Sequence, residues 1–380
     1  MDFAYLKTVK RNRLHIRKLY QSEEFANSCY SLGSINLKKK KQRNEGEQFI
    51  SMLTCIACEG GRFSVLEKTG TDITKIQCRS CGEIIEVVDG IYHFYKNRGR
   101  ISGVDYSSPN WREFEREKES EIEREQGLSH EWLRSLPFPP QVTDTTFQYK
   151  FGALGQNFFD VINCLDLKGT ENVLDMATGC GWTSREFAKR GCDVVSTDIR
   201  RIKYHGLRSA EAYFEEDGGV SFQRLRLEFG LLPFEDHAFD IVFCQNAFQY
   251  VQDLSMVVRE IKRVLKPNGK LVLAWTGTHA LLKKTKWGPG HYLTTYVHHM
   301  RKAGFQVRVY YPLSLYKNLY NFVSNRSSVS IVVQFARLFS HAWEISPLFK
   351  RLFLRYVSLP IGFVFGFPFN LIAAKSELQT

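Results

Sequence analysis

"VLDMATGCGWTSREFAKRG", Val173 to Gly191, runs an apolar strand into Asp175, a turn with only two glycines, and the start of an amphipathic helix. From Glu171 onward that alternation repeats: "NVLDM", "DVVSTD" ending at Asp198, "FDIVFC" and "KLVLAW" are short apolar strands separated by helical stretches. This is the pattern of a doubly wound α/β sheet. Between the last two strands, Leu254, Val257, Val258, Ile261 and Leu265 fall on one helical face, and "KPNG" at residues 266–269 is expected to end that helix.

The turn after Asp175 narrows the ligand. A dinucleotide site needs G-x-G-x-x-G, its third glycine letting helix and strand pack closely. Here those positions are Ala177, Gly179 and Trp182, so the third fails. Asp175 would repel a pyrophosphate and welcome a positively charged amino group. A cationic ligand without phosphates fits.

The stretch resembles motif I of class I S-adenosylmethionine (SAM)-dependent methyltransferases, D-x-G/A-x-G-x-G, carried here by Asp175, Ala177, Gly179 and Gly181. Its Ala-Thr-Gly form is similar to the ubiquinone/menaquinone methyltransferases and related small-molecule branches, the methyltransferase type 11 group. The resemblance implies a Rossmann-like sheet, with the two glycines letting backbone approach the cofactor. It implies that Asp198 accepts from the ribose hydroxyls. "LEFGLLPFEDHAFDIVF" resembles the family's D-A-x-x-L-P-F segment, which places the adenine-contacting acid at Glu228, a departure from aspartate, and Phe229 against the ring. "REIKRVLKPNGKLVLA" matches a further family stretch, with Asn268 replacing a glycine. Upstream, "TFQYKFGALGQNFF" resembles the aromatic-glycine stretch before motif I, so Tyr149, Phe151 and Gly152 are expected to border the cofactor.

The chain has 380 residues, 43% of them hydrophobic, enough for one large domain and a smaller one. Nine cysteines and no N-terminal apolar core of a leader favour an intracellular, cytoplasmic protein with reduced thiols or a metal. Cys55 and Cys58 in "CIAC" and Cys78 and Cys81 in "CRSC", with 19 residues between the pairs, let four thiolates converge on one Zn²⁺. A hairpin around Gly70 and a further strand and turn in "EIIEVVDGIYHF" complete a zinc ribbon. Residues 52–96 resemble the small zinc-binding domain of methyltransferase activator subunits. A closed four-sulfur site is structural, with no open position for chemistry.

Charge is uneven. Of the net +12, residues 1–43 carry +8 and residues 280–380 carry +11, which leaves −7 between them. Basic ends suggest anionic partners, although a solvated surface explains the head equally. The expected organisation is a basic, mobile arm (1–48), the ribbon (49–98), a charged helical linker (99–140), the methyltransferase core (141–319), an apolar and basic insertion (320–368), and a final antiparallel strand and tail (369–380). The apolar run in that helical C-terminal insertion, flanked by Lys350, Arg351 and Arg355, suggests peripheral membrane contact or a greasy lid, and hence a lipophilic acceptor.

Methyl transfer from a sulfonium can proceed by proximity alone. If the acceptor is a hydroxyl, His279 and His291 follow a sheet strand and are candidate bases. "CQNAFQY" stands where N-methyltransferases of adenine carry an N-P-P-aromatic loop, which disfavours that chemistry. Two other functions use the same features: an RNA methyltransferase whose ribbon and arm grip phosphates, and a non-catalytic scaffold that retains the fold.

Overall fold

The computed structural model describes residues 45–94, 129–139, 145–216, 220–280, 290–310, 312 and 367–375. The basic arm to residue 44, most of the linker, and residues 320–366 of the insertion lie outside them, and the side chain of Tyr149 is not described. Helix α1 (Glu45–Ser51) leads to β1 (Thr54–Cys55), β2 (Gly61–Thr69), β3 (Asp72–Cys78), β4 (Ile84–Val88) and β5 (Ile91–His93). Helices α2 (His130–Ser135) and α3 (Thr145–Ile162) precede the alternating part. That part comprises β6 (Asn172–Met176), α4 (Trp182–Lys189), β7 (Asp193–Asp198), α5 (Glu211–Glu216), β8 (Gln223–Arg226), β9 (Phe239–Gln245), α6 (Leu254–Val264), β10 (Leu265–Thr276), α7 (Leu293–Lys302), β11 (Phe305–Tyr310) and β12 (Phe369–Lys375).

All twelve strands share one sheet, ordered β1-β2-β3-β4-β5-β8-β7-β6-β9-β10-β12-β11. From β8 to β10 the strands are parallel, and β12 inserts antiparallel to both β10 and β11. The strand order reverses between β6 and β9, which makes their carboxyl ends the switch point where such sheets bind ligands. Alternation sorts the side chains onto two apolar layers. Leu174, Val242, Cys244, Leu271 and Leu273 face one, with Val257, Val258 and Ile261 of α6. Val173, Ile241, Phe243, Val272 and Ala274 face the other, with Phe158 and Phe187.

Helix α6 carries the expected apolar face but stops at Val264; Leu265 caps it and begins β10. The "KPNG" turn is a bulge inside that strand, with Asn268 left-handed at φ +62° and the register jumping between Leu265 and Lys270. Helix α1 overlaps the expected end of the arm, and its Phe49 and Ile50 are buried in the same core as the sheet.

The "VVDGIYHF" turn joins the ribbon to the α/β unit. Parallel pairing of β5 with β8 sets Ile91 beside Arg224 and His93 beside Arg226. The Asp89 carbonyl accepts from the buried Arg224 guanidinium, and its carboxylate lies 3.6 Å from Arg201 and 3.8 Å from Arg208. Gly90 is left-handed at φ +68°, and a Cβ there would meet Arg224 at 3.1 Å. Only glycine suits both conditions.

Candidate functional site

A cavity of about 360 Å³ opens at the switch point, over the carboxyl ends of β6, β7 and β9, within the range of roughly 300–1,000 Å³ usual for small-molecule sites. Asp175, Asp198 and Glu228 all line it, although they come from three different strand ends.

Asp175 is 1% exposed. Its Oδ2 accepts from Thr183 and Ser184 at 2.6 Å each and from Thr178 at 3.0 Å. Burial pushes its carboxyl up to about 6, against the pull of those three hydroxyls, and the nearby Asp198 charge adds to the rise. A cation in the cavity would therefore relieve a desolvated negative charge. Asp198 accepts from the backbone N–H groups of Gly179 and Arg200, both at 2.8 Å. Burial raises its pKa, and these amides and the Arg200 charge oppose the rise. Each of its oxygens keeps acceptor capacity for a ligand hydroxyl.

The turn itself is left-handed at Ala177 (φ +53°), Gly179 (+59°) and Gly181 (+76°). A Cβ on Gly179 would meet no atom within 4 Å, so that position leaves the cavity open. Gly181 does not line the cavity; it caps α4, and its missing Cβ faces Phe222 and Tyr213. Trp182, where a dinucleotide site has its third glycine, is buried edge-on against Phe158 at 5.1 Å and also lines the cavity. The indole thus packs α4 against α3 where a dinucleotide fold would need the bare backbone of glycine.

Ala177 and Phe229 line the cavity, as does Phe151 of α3. Gly152 does not, and Tyr149 contributes only its helical backbone to the description. His279 and His291 stand outside the lining. His279 is buried edge-on to Tyr292 at 5.1 Å, and His291 Nε2 is 2.9 Å from the Val251 carbonyl, to which it must donate. Arg200, His205, Gln245, Asn246 and Tyr250 do line the cavity, and none was singled out from sequence as a site residue. Their signal was position: each lies at or just after the carboxyl end of β7 or β9, where ligands bind in such sheets. Asn246 is held left-handed at φ +53°, its N–H donating to Ala274 and its carbonyl accepting from Gln249.

In the ribbon, the sulfurs of Cys55, Cys58, Cys78 and Cys81 all lie within 4.8 Å of one another. Cys55 and Cys81 are 3.7 Å apart and Cys58 and Cys78 3.6 Å, against about 3.8 Å for two sulfurs on a tetrahedral ion with metal–sulfur bonds of about 2.3 Å. A Cβ on Gly61 would come within 2.5 Å of the Cys78 sulfur and 2.7 Å of that of Cys58. A side chain there would break the cluster.

Residues 174–273 match a family model described as "Methyltransferase domain". The chain is 30% identical over 126 residues to "Uncharacterized methyltransferase YcgJ" of Bacillus subtilis, covering 33% of this chain and 48% of that protein. It is 27% identical over 145 residues to the demethylmenaquinone methyltransferase of Streptomyces griseus, covering 38% of this chain and 55% of that protein. It thus spans about half the length of these curated relatives. The crystal structure of YcgJ from Bacillus subtilis superimposes with a TM-score of 0.36 at 17% identity, covering 60% of this chain and 99% of that one.

Proposed function

We propose that this protein transfers a methyl group from SAM to a small-molecule acceptor. The observation that carries the proposal is the meeting of Asp175, Asp198 and Glu228 in one cavity at the switch point. The donor set suits that cofactor: a buried carboxylate for a cation, a second carboxylate for vicinal hydroxyls, a third for an exocyclic amine, and Gly179 open where a side chain would intrude. When bound, the cofactor supplies an electrophilic methyl on sulfur.

What the chain does is hold and exclude. The Thr178, Thr183 and Ser184 hydroxyls keep Asp175 oriented, Asp198 pins the glycine turn through the Gly179 amide, and Phe151, Leu154, Trp182 and Phe229 wall the cavity with apolar surface. Tyr250 and His205 are lining groups that can hold or accept a proton; His279 and His291, outside the lining, take no part in this proposal. The four cysteines suit a tetrahedral Zn²⁺ held by Cys55, Cys58, Cys78 and Cys81, with a structural role.

The acceptor is a lipophilic small molecule, a proposal supported by the apolar wall and by the quinone-type substrate in the name of one relative. Among the described residues no helix is long and apolar enough to cross a membrane; the proposed contact with a lipid surface rests on the apolar and basic sequence of residues 320–368, of which 320–366 lie outside the described residues. Calorimetry with S-adenosylhomocysteine and transfer of labelled methyl from SAM into a cell extract test both parts. Binding that Asp198→Ala weakens more than tenfold, with label in the organic phase, is expected. No binding removes the proposal; label in RNA replaces its acceptor.

A further inference from the structure

We propose that ribbon residues 52–54 position the cavity wall at Glu228 and Phe229, so that the four-cysteine site governs how tightly the cavity holds a nucleoside. The inference rests on the function proposed above for the cavity and for the cysteines.

Residues 227–238 link β8 to β9, and Leu227, Glu228 and Phe229 at their start line the cavity. Farther along, the chain is stretched between two anchors. On the ribbon side, Thr54 donates its N–H to the Pro233 carbonyl at 3.1 Å, the Met52 carbonyl accepts from Glu235 at 3.0 Å, and Leu53 pairs with Phe234 in an antiparallel bridge. On the helical side, Arg263 of α6, clamped by the Glu260 carboxylate, donates to the carbonyls of Leu232 at 2.8 Å and Phe234 at 2.7 Å. The Phe234 N–H closes a tight turn onto the Leu232 carbonyl at 2.8 Å. Within it the helix donates to the carbonyls of 232 and 234, and the ribbon takes the Pro233 carbonyl and the Glu235 N–H. Neither anchor can replace the other, and a buried backbone group left without a partner is costly.

The ribbon's anchor is tied to the cysteines by one residue. Thr54 and Cys55 form β1, paired to Arg62 and Gly61 of β2, and Gly61 is the position whose missing Cβ lets the Cys58 and Cys78 sulfurs close. Arg62 adds an ion pair with Glu235 and a hydrogen bond to the Ser51 carbonyl at 2.9 Å. Leu53 and Phe234 are both fully buried, and Phe234 stacks edge-on against Phe239 at 4.9 Å. A metal that fixes β1 thus fixes residues 233–235, and through them the wall five residues away.

The test uses the full chain with S-adenosylhomocysteine as probe, measured by calorimetry before and after a zinc chelator, with amide hydrogen exchange in parallel. The expected result is a loss of affinity of at least about fivefold, the lower range of measured site–site coupling, with faster exchange at Thr54, Glu235 and residues 227–230 while β10 and β12 stay protected. Because stripping the metal can unfold the ribbon outright, zinc-loaded Leu53→Ala, with zinc content verified, should show the same pattern. Metal loss or Leu53→Ala without change in affinity and exchange overturns the inference. If the wild type binds no S-adenosylhomocysteine, the proposed function fails, and the exchange of residues 227–235 alone still decides the coupling.

Discussion

Replacing Gly179 with alanine adds one carbon to the turn after β6, and its effect can be worked out beside that of Gly181→Ala, two residues on. Both positions are left-handed, at φ +59° and +76°, so each alanine carries a conformational cost of about 1–2 kcal/mol, partly offset by about 0.4–1 kcal/mol from a stiffer unfolded chain. The net is about 1 kcal/mol for either, a fall in Tm of about 2 °C for a chain of this size. The two differ in what the new carbon meets. At 179 nothing lies within 4 Å and the residue lines the cavity; at 181 the carbon would rest at ordinary distances of 3.6 Å from Phe222 and 3.8 Å from Tyr213, away from the cavity. Equal thermal shifts are therefore expected, with S-adenosylhomocysteine affinity falling more than about tenfold, or about 1.4 kcal/mol, for Gly179→Ala only. Thermal unfolding and calorimetry on the two variants check this. Equal affinity losses, or full affinity in Gly179→Ala, would refute the assignment of the cavity.

Asp175 ties stability to pH. Its carboxyl moves from an ordinary 3.8 to about 6 on folding, so the native state binds the proton more tightly and stability falls as pH rises through that window, by about 3 kcal/mol at about 1.4 kcal/mol per unit. Asp175→Asn should therefore raise the Tm of the ligand-free protein at pH 7.5 while the gain shrinks toward pH 4; a variant no more stable than the wild type at pH 7.5 would contradict the cause. Asn157 and Asn370 exchange amide hydrogen bonds at 3.1 and 2.7 Å across α3 and β12, and Asn370 also accepts from the Trp275 N–H. Either change to alanine should cost about 2–3 kcal/mol by leaving buried groups unpaired, and a denaturant double-mutant cycle should show the two far from additive. His279→Gln, outside the cavity lining, should leave S-adenosylhomocysteine affinity within twofold; a larger loss by calorimetry would restore that histidine as a site candidate.

Strands, turns and thiolate pairs were legible because each is encoded within a few residues. The apolar run of "FDIVFC" alone marked a strand, the run from Asp175 to Gly181 a turn into a helix, and the two C-x-x-C pairs a four-sulfur cluster. What surrounds the cavity was another matter. Gly181 lies outside its lining, as do His279 and His291, while His205, Asn246 and Tyr250 belong to it, because the side of a loop that faces a ligand is set by strands packed from distant parts of the chain. The ribbon's place in the same sheet was equally hidden. Parallel pairing of Ile91–His93 with β8 spans more than a hundred residues of sequence, and backbone hydrogen bonds of that kind leave no mark in side-chain pattern. Local chemistry was written in the residues; adjacency came only from tertiary packing, which brings remote segments together by burying a shared apolar core.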